Sequence, residues 1–170
     1  MTSMSAENPR RRPVLVLLCG LPCSGKTTLA RQIEATTGAV VFSPDDWMVE
    51  LQVDLWDEPF RGRLEQAMWG LALEMLARGL SVVLDYGYWS RAERDEKRLA
   101  ARQLGVDVEL HYLDVPIEEL LRRVEKRNGS GIWRNAAPIT RGHLERWSEM
   151  LERPESTELA LFDNPIRPVP

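Results

Sequence analysis

Gly20-Leu21-Pro22-Cys23-Ser24-Gly25-Lys26-Thr27 fits G-x-x-x-x-G-K-[ST] at every fixed position. The apolar run Val14-Leu15-Val16-Leu17-Leu18-Cys19 precedes it, and a helix-like stretch from Lys26 to about Ala35 follows. Strand, glycine-bounded turn and helix in that order make a phosphate-binding loop. Gly20 and Gly25 let the backbone close on a polyphosphate, so that successive N–H groups and the positive end of the helix face the anion. Lys26 adds a full charge at the β/γ-phosphates, and Thr27 offers its hydroxyl to Mg²⁺. The expected nucleotide contacts in this segment are Gly20, Pro22, Cys23, Ser24, Gly25, Lys26, Thr27 and Thr28.

The chain of 170 residues is long enough for one domain with a substantial core. Residues 1–12, Arg-rich and polar, read as a disordered leader, 13–163 as a single domain, and the Pro-rich 164–170 as a loose tail. A net charge of −4 gives no global positive field toward nucleic acid or anionic lipid, although local patches remain open. The longest apolar run is far short of a membrane span and lacks a signal peptide's length and cleavage site, so a cytoplasmic location is expected. Cys19 and Cys23 form neither a disulfide framework nor a zinc pattern.

Further along, Ala39-Val40-Val41-Phe42 reads as a second strand, Ser81 to Asp85 as a third and Val106 to Leu113 as a fourth. Glu158-Leu159-Ala160-Leu161-Phe162 offers a fifth. Between them lie helical stretches. One begins at Asp57 and Pro59 and carries the stripe Phe60, Leu64, Met68, Leu71 and Met75; another has Ser90 and Glu93 spaced as a capping box. A third spans Ile117 to about Lys126, and Thr140 caps a fourth with Leu144, Trp147 and Leu151 on one face. This alternation predicts an α/β fold of three layers: a parallel sheet of about five strands, helices on both faces, and a short helical lid. Ligands then bind at the carboxyl ends of the strands.

On that geometry several side chains are placed for chemistry. Asp85 ends an apolar strand in the Walker-B arrangement and would hold Mg²⁺ directly or through water, facing substrate as well. Tyr86 stands where many motor ATPases carry a water-activating Glu. Asp45 and Asp46 follow the second strand, where a carboxylate would orient an acceptor hydroxyl and take its proton; the pattern leaves open which of the two does so. Arg123 and Arg127 are i and i+4 on the helix beside Arg122, so both guanidinium groups can point at the phosphates. Trp47, Trp89 and Trp133 fall in expected loops and could wall an acceptor pocket, whereas Trp69 and Trp147 fit helical core faces. Arg91 and Arg94 could hold an anionic group on the acceptor. His111 and His143 read as structural.

G-L-P-C-S-G-K-T-T-L-A-R, then S-P-D-D-W, V-V-L-D, L-D-V-P and R-R-V-E-K-R-N are similar, in that order, to P-loop kinases of the polynucleotide-kinase-like group, over roughly residues 14–152. Bacterial members of that group are labelled AAA-family ATPases or predicted kinases. The resemblance implies ATP and Mg²⁺ as cofactors, Asp45 as general base, and Arg123 and Arg127 as lid arginines on ATP. It also exposes a departure: Met48 stands where polynucleotide kinases carry an Arg three residues after the base.

The expected function is transfer of the γ-phosphate of ATP to a hydroxyl of a small-molecule acceptor such as a nucleoside, sugar or antibiotic. Acceptor-side residues would be Asp45, Asp46, Trp47, Asp85, Trp89 and Arg91, with Thr27 and Asp85 on the metal. The alternatives are a polynucleotide 5′-hydroxyl kinase, which Met48 and the acidic balance disfavour, and a regulatory ATP-binding switch. No membrane partner is expected, and the chain is a monomer or homodimer; ATP against GTP stays open.

Overall fold

A computed structural model describes residues 12–129 and 137–163. The expected leader (except Arg12), the tail and Trp133 lie outside the described residues. Strands β1 (Val14–Cys19), β2 (Val40–Phe42), β3 (Val82–Gly87) and β4 (Asp107–Tyr112) pair in the order β2-β3-β1-β4, every pairing parallel. β1 is central, with Leu15 opposite Val82 on one side and Val108 on the other. Its side chains alternate between two apolar layers. Leu15, Leu17 and Cys19 enter the larger, while Val16 and Leu18 join Ala30 and Ile33 of helix α1 (Lys26–Thr37) on the opposite face.

The larger layer is covered by α3 (Glu58–Ala77), α4 (Arg91–Gln103), α5 (Ile117–Gly129) and α6 (Arg141–Met150). Their starts follow the expected chemistry. Asp57 accepts from the Phe60 N–H, and Ser90 and Glu93 close a reciprocal capping box. Thr140 does the same with His143 in the place of the usual Glu. Two short helices complete the set, α2 (Pro44–Glu50) and α7 (Ser156–Leu159). No helix among the described residues is long and apolar enough to cross a membrane.

Three expectations are corrected. The fifth strand is absent among the described residues: Glu158 lies in α7 with its carboxylate turned inward, and only Asp163 touches the sheet, bridging to Glu109. Asp163 caps the β4 edge instead, donating its N–H to Val108 O and accepting the Val108 N–H on its carboxylate. Pro44 to Glu50, expected as loop, is a helix, because Pro44 suits a first turn and nothing after it breaks the run before Leu51. In α3 the buried residues are Met68, Ala72 and Leu76, while Leu71 is exposed. The inward line therefore runs 61-65-68-72-76, and its first two members, Arg61 and Glu65, are charged.

Arg94 is corrected as well. It is fully buried rather than facing an acceptor, and both Nε and Nη2 donate to the Glu158 carboxylate, at 2.6 and 2.9 Å. Its remaining N–H groups reach the carbonyls of Tyr88, Trp89 and Glu152. A charge this deep is tolerated only because its donors are met, so removing one partner strands the other. Arg94→Ala should lower unfolding free energy by about 3–5 kcal/mol in urea titration. The double change Arg94→Met, Glu158→Leu should recover most of that loss, and a single variant within about 1 kcal/mol of the parent would contradict the account.

Candidate active site

The turn after β1 wraps tightly. Gly20 has φ +148°, and a Cβ there would lie 2.9 Å from Ser24 Oγ and 3.0 Å from the Leu113 carbonyl oxygen. Gly25 has φ +103° at the start of α1, and Cys23 also sits at positive φ. Ser24 Oγ is buried and has no protein partner, as expected of a group facing an anion cradle. Lys26 donates to the Leu21 carbonyl at 2.8 Å, beneath the loop. Burial pulls its ammonium pKa down, and the fields of Asp85 and then Asp45 push it back up. Pro22 is half-buried, while Thr27 and Thr28 are exposed on the first turn of α1.

β3 ends against this loop. Gly20 N–H donates to Gly87 O, and the Trp89 indole N–H donates to Gly20 O at 3.2 Å. Asp85 accepts from the Thr27 hydroxyl at 2.6 Å. Burial raises its pKa, against the Thr27 hydrogen bond and Lys26, and Asp45 and Asp46 raise it further. A divalent cation would relieve that desolvated carboxylate. Among the described residues no three His, Cys, Asp or Glu side chains converge on a metal position. The donor pair of Thr27 and Asp85 thus fits Mg²⁺, which takes few protein ligands and completes its shell with phosphate and water.

The two acids after β2 diverge. Asp46 turns to Arg31 of α1 at 2.6 Å, on the outside. Asp45 pairs with Arg61 of α3 at 2.6 Å, and its charge, unlike that of Asp46, also raises the Lys26 pKa. Trp47 is exposed on α2, and Met48 is fully buried. Arg91 pairs with Asp95 along α4 at 3.6 Å, and its backbone N–H donates to Glu152. Arg123 reaches over the loop from α5, donating to the carbonyls of Cys23 and Ser24 while Glu119 holds its Nε. Arg127 lies 3.7 Å from the Cys23 sulfur. Burial pushes the Cys19 thiol up to about 11, so it behaves as a packing residue.

Four groups were missed by pattern alone. Arg61 and Glu65 are charged residues beside the apolar stripe of α3, on the 61-65-68-72-76 line. Tyr88, at φ +42°, stacks on Tyr86 with ring centroids 5.4 Å apart. Trp56, in the connection before α3, meets His143 and Trp147 at 4.9 and 5.8 Å, and Trp147 continues to Trp89 at 5.9 Å. A cleft of about 270 Å³ lies on the other side of the loop, between Leu21, Tyr112, Asp114, Leu151 and Arg153.

A family model described as "AAA domain" matches residues 15–154. No curated protein matches the chain. Among solved structures, the Pnkp1/Rnl/Hen1 RNA repair complex is similar with a TM-score of 0.71 and 23% identity, over 94% of this chain and 49% of that one. This chain therefore spans about half the length of that relative. A gluconokinase from Sinorhizobium meliloti 1021 gives 0.58 and 21%, over 86% and 79% of the two chains. The APS kinase CysC of Mycobacterium tuberculosis, in complex with AMPPNP and APS, gives 0.54 and 20%, over 72% of each. These likenesses show a P-loop kinase-like fold.

The crowding at Gly20 yields a direct test. Gly20→Ala, with a Cβ too close to Ser24 Oγ and backbone, should weaken binding of a fluorescent ATP analogue by about tenfold or more. Gly38→Ala, which meets nothing within 4 Å, should leave that binding unchanged.

Proposed function

The chain belongs to the AAA-domain family, and from that premise we propose that it is an ATP-dependent kinase phosphorylating a hydroxyl of a small-molecule acceptor. The observation supporting this reading is that Asp45 follows β2 of the parallel sheet, paired with Arg61 and near enough to Lys26 and Asp85 for its charge to act on both. A carboxylate there meets an acceptor hydroxyl where the terminal phosphate is presented.

In the reaction, the acceptor oxygen attacks the γ-phosphorus, the bond to the bridging oxygen of ADP breaks, and the hydroxyl proton passes to Asp45. Arg61 fixes Asp45 by engaging Oδ1, which aims Oδ2 at the acceptor. The loop amides and Lys26 hold the phosphates and stabilise charge as it moves to the leaving oxygen. Arg123 closes from α5, exchanging the neutral carbonyls of Cys23 and Ser24 for anionic oxygens, and Arg127 joins it from beside the Cys23 sulfur. Mg²⁺ on Thr27 and Asp85 would neutralise the β- and γ-phosphate oxygens.

A polynucleotide 5′-hydroxyl is the second reading, supported by the likeness to the Pnkp1-containing complex. Against it stands Met48, buried in the core at the place where the resembling polynucleotide kinases carry an Arg. Asp45→Asn should cut acceptor-dependent ADP release by about a hundredfold or more while ATP affinity stays within about twofold. Lys26→Ala should weaken binding and turnover together. Unchanged turnover in Asp45→Asn would remove that residue from its role, and label transferred to an oligonucleotide end would promote the second reading.

A further inference from the structure

The inward line of α3 begins with two charged residues where the apolar core ends. α3 runs antiparallel to the strands, so its first turns lie at the carboxyl edge of the sheet, beside Asp45 and the turn after β3. Arg61 there is already engaged: Nη2 donates to Asp45 Oδ1 at 2.6 Å and to the Leu55 carbonyl at 3.3 Å, and Nη1 lies 3.8 Å from Glu65. One cation is thus shared between two carboxylates, so with both ionised the acids outnumber it. Tyr88 supplies an independent sign. It is 6% exposed, its backbone sits in the left-handed region at φ +42°, and its hydroxyl has no partner in the protein. Tyr86, stacked on it, also has an unpartnered hydroxyl. Two buried hydroxyls left unsatisfied, one at the end of β3 and one on the strained residue after it, are costly unless another group completes them.

We propose that Asp45, Glu65 and the hydroxyls of Tyr86 and Tyr88 form the acceptor subsite, and that it selects a hydroxyl-bearing molecule carrying a protonated amine. Asp45 takes the reacting hydroxyl, Glu65 takes the ammonium, and the tyrosines hydrogen-bond the remaining polar groups. A phosphate-bearing acceptor would face these acids with Arg61 already engaged.

Burial pushes the Glu65 carboxyl up to about 7 from its ordinary 4.5, against Arg61 and reinforced by Glu93, Glu58 and Asp45. An ammonium is attracted by the ionised form alone, so its affinity should rise as pH passes upward through about 7.

The inference rests on the kinase reading, and the two are tested apart. Thermal protection of the full chain, with ATP analogue and Mg²⁺ present, is measured for glucosamine and kanamycin against glucose, maltotriose and a 5′-hydroxyl oligodeoxynucleotide. At least one amine should protect more strongly than its neutral match, more so at about pH 7 than at about pH 6, a window in which Glu65 ionises while the amines stay largely protonated. Glu65→Gln should weaken that protection about tenfold and flatten its pH dependence, and Tyr88→Phe should weaken it with ATP affinity unchanged. Protection by neither amine, stronger protection by the oligonucleotide, or an unaltered Glu65→Gln overturns the subsite. Asp45-dependent phosphorylation of a neutral or anionic acceptor would also overturn it while leaving the kinase intact. ATP turnover indifferent to every acceptor and to Asp45→Asn would instead remove the kinase reading.

Discussion

A guanidinium with no access to water governs the geometry of the site. Arg94 meets a buried carboxylate on α7 and three carbonyls, two of which belong to Tyr88 and Trp89. Those two residues form the turn that leaves β3, and Trp89 in turn donates to the first glycine of the phosphate loop. The loop, the turn and the segment from Glu152 to Glu158 are therefore tied through one side chain. Because an unpaired charge at that depth would cost several kcal/mol, these elements cannot separate singly without stranding a donor or an acceptor. This constraint also accounts for the missing fifth strand. Glu158 in a strand would alternate between faces with its neighbours, whereas one helical turn delivers its carboxylate to Arg94 and still buries Phe162.

What the sequence made legible follows the locality of each signal. The phosphate loop is specified by glycines at fixed offsets with a strand before and a helix after, and the caps at Asp57, Ser90 and Thr140 are set by contacts three residues long. Such features survive without knowledge of the rest of the fold. The inward face of α3 does not. Of the stripe Phe60, Leu64, Met68, Leu71 and Met75, Leu64, Met68 and Met75 pack on the core while Leu71 is exposed, and the inward face widens to a line that opens with Arg61 and Glu65. Polarity alone assigns those residues to solvent, and only the neighbouring Asp45 and the end of β3 reverse that assignment. The same is true of Arg94, whose carboxylate partner Glu158 and third carbonyl, Glu152, come from a segment more than fifty residues away. Trp56 carried no periodic signal, and its aromatic partners come from α6.

Electrostatically the site divides into two halves. On one, Lys26, Arg123 and Arg127 join the positive end of α1 around the loop, a field suited to a polyphosphate. On the other, Asp45, Glu65 and Glu93 face a corner whose nearest cation, Arg61, is already held by two of the acids. Lys26 lies where the halves meet, lowered by burial and raised by acids from both Asp85 and Asp45. A polyphosphate on the basic half and a hydroxyl on the acidic half would lie across a gradient of potential, as the kinase reading requires.

The cations around the loop are positioned at little expense to nucleotide binding. Lys26 and Arg123 donate to the carbonyls of Leu21, Cys23 and Ser24, which are neutral acceptors. Charge-assisted bonds to phosphate oxygens are roughly twice as strong as neutral ones, so a nucleotide that displaces these contacts gains from each exchange. Asp85 differs: its carboxylate already accepts from the Thr27 hydroxyl at 2.6 Å, and burial raises its pKa. Thr27 and Asp85 would hold a Mg²⁺ ion there, and the ion would relieve the desolvated carboxylate beside a bound phosphate.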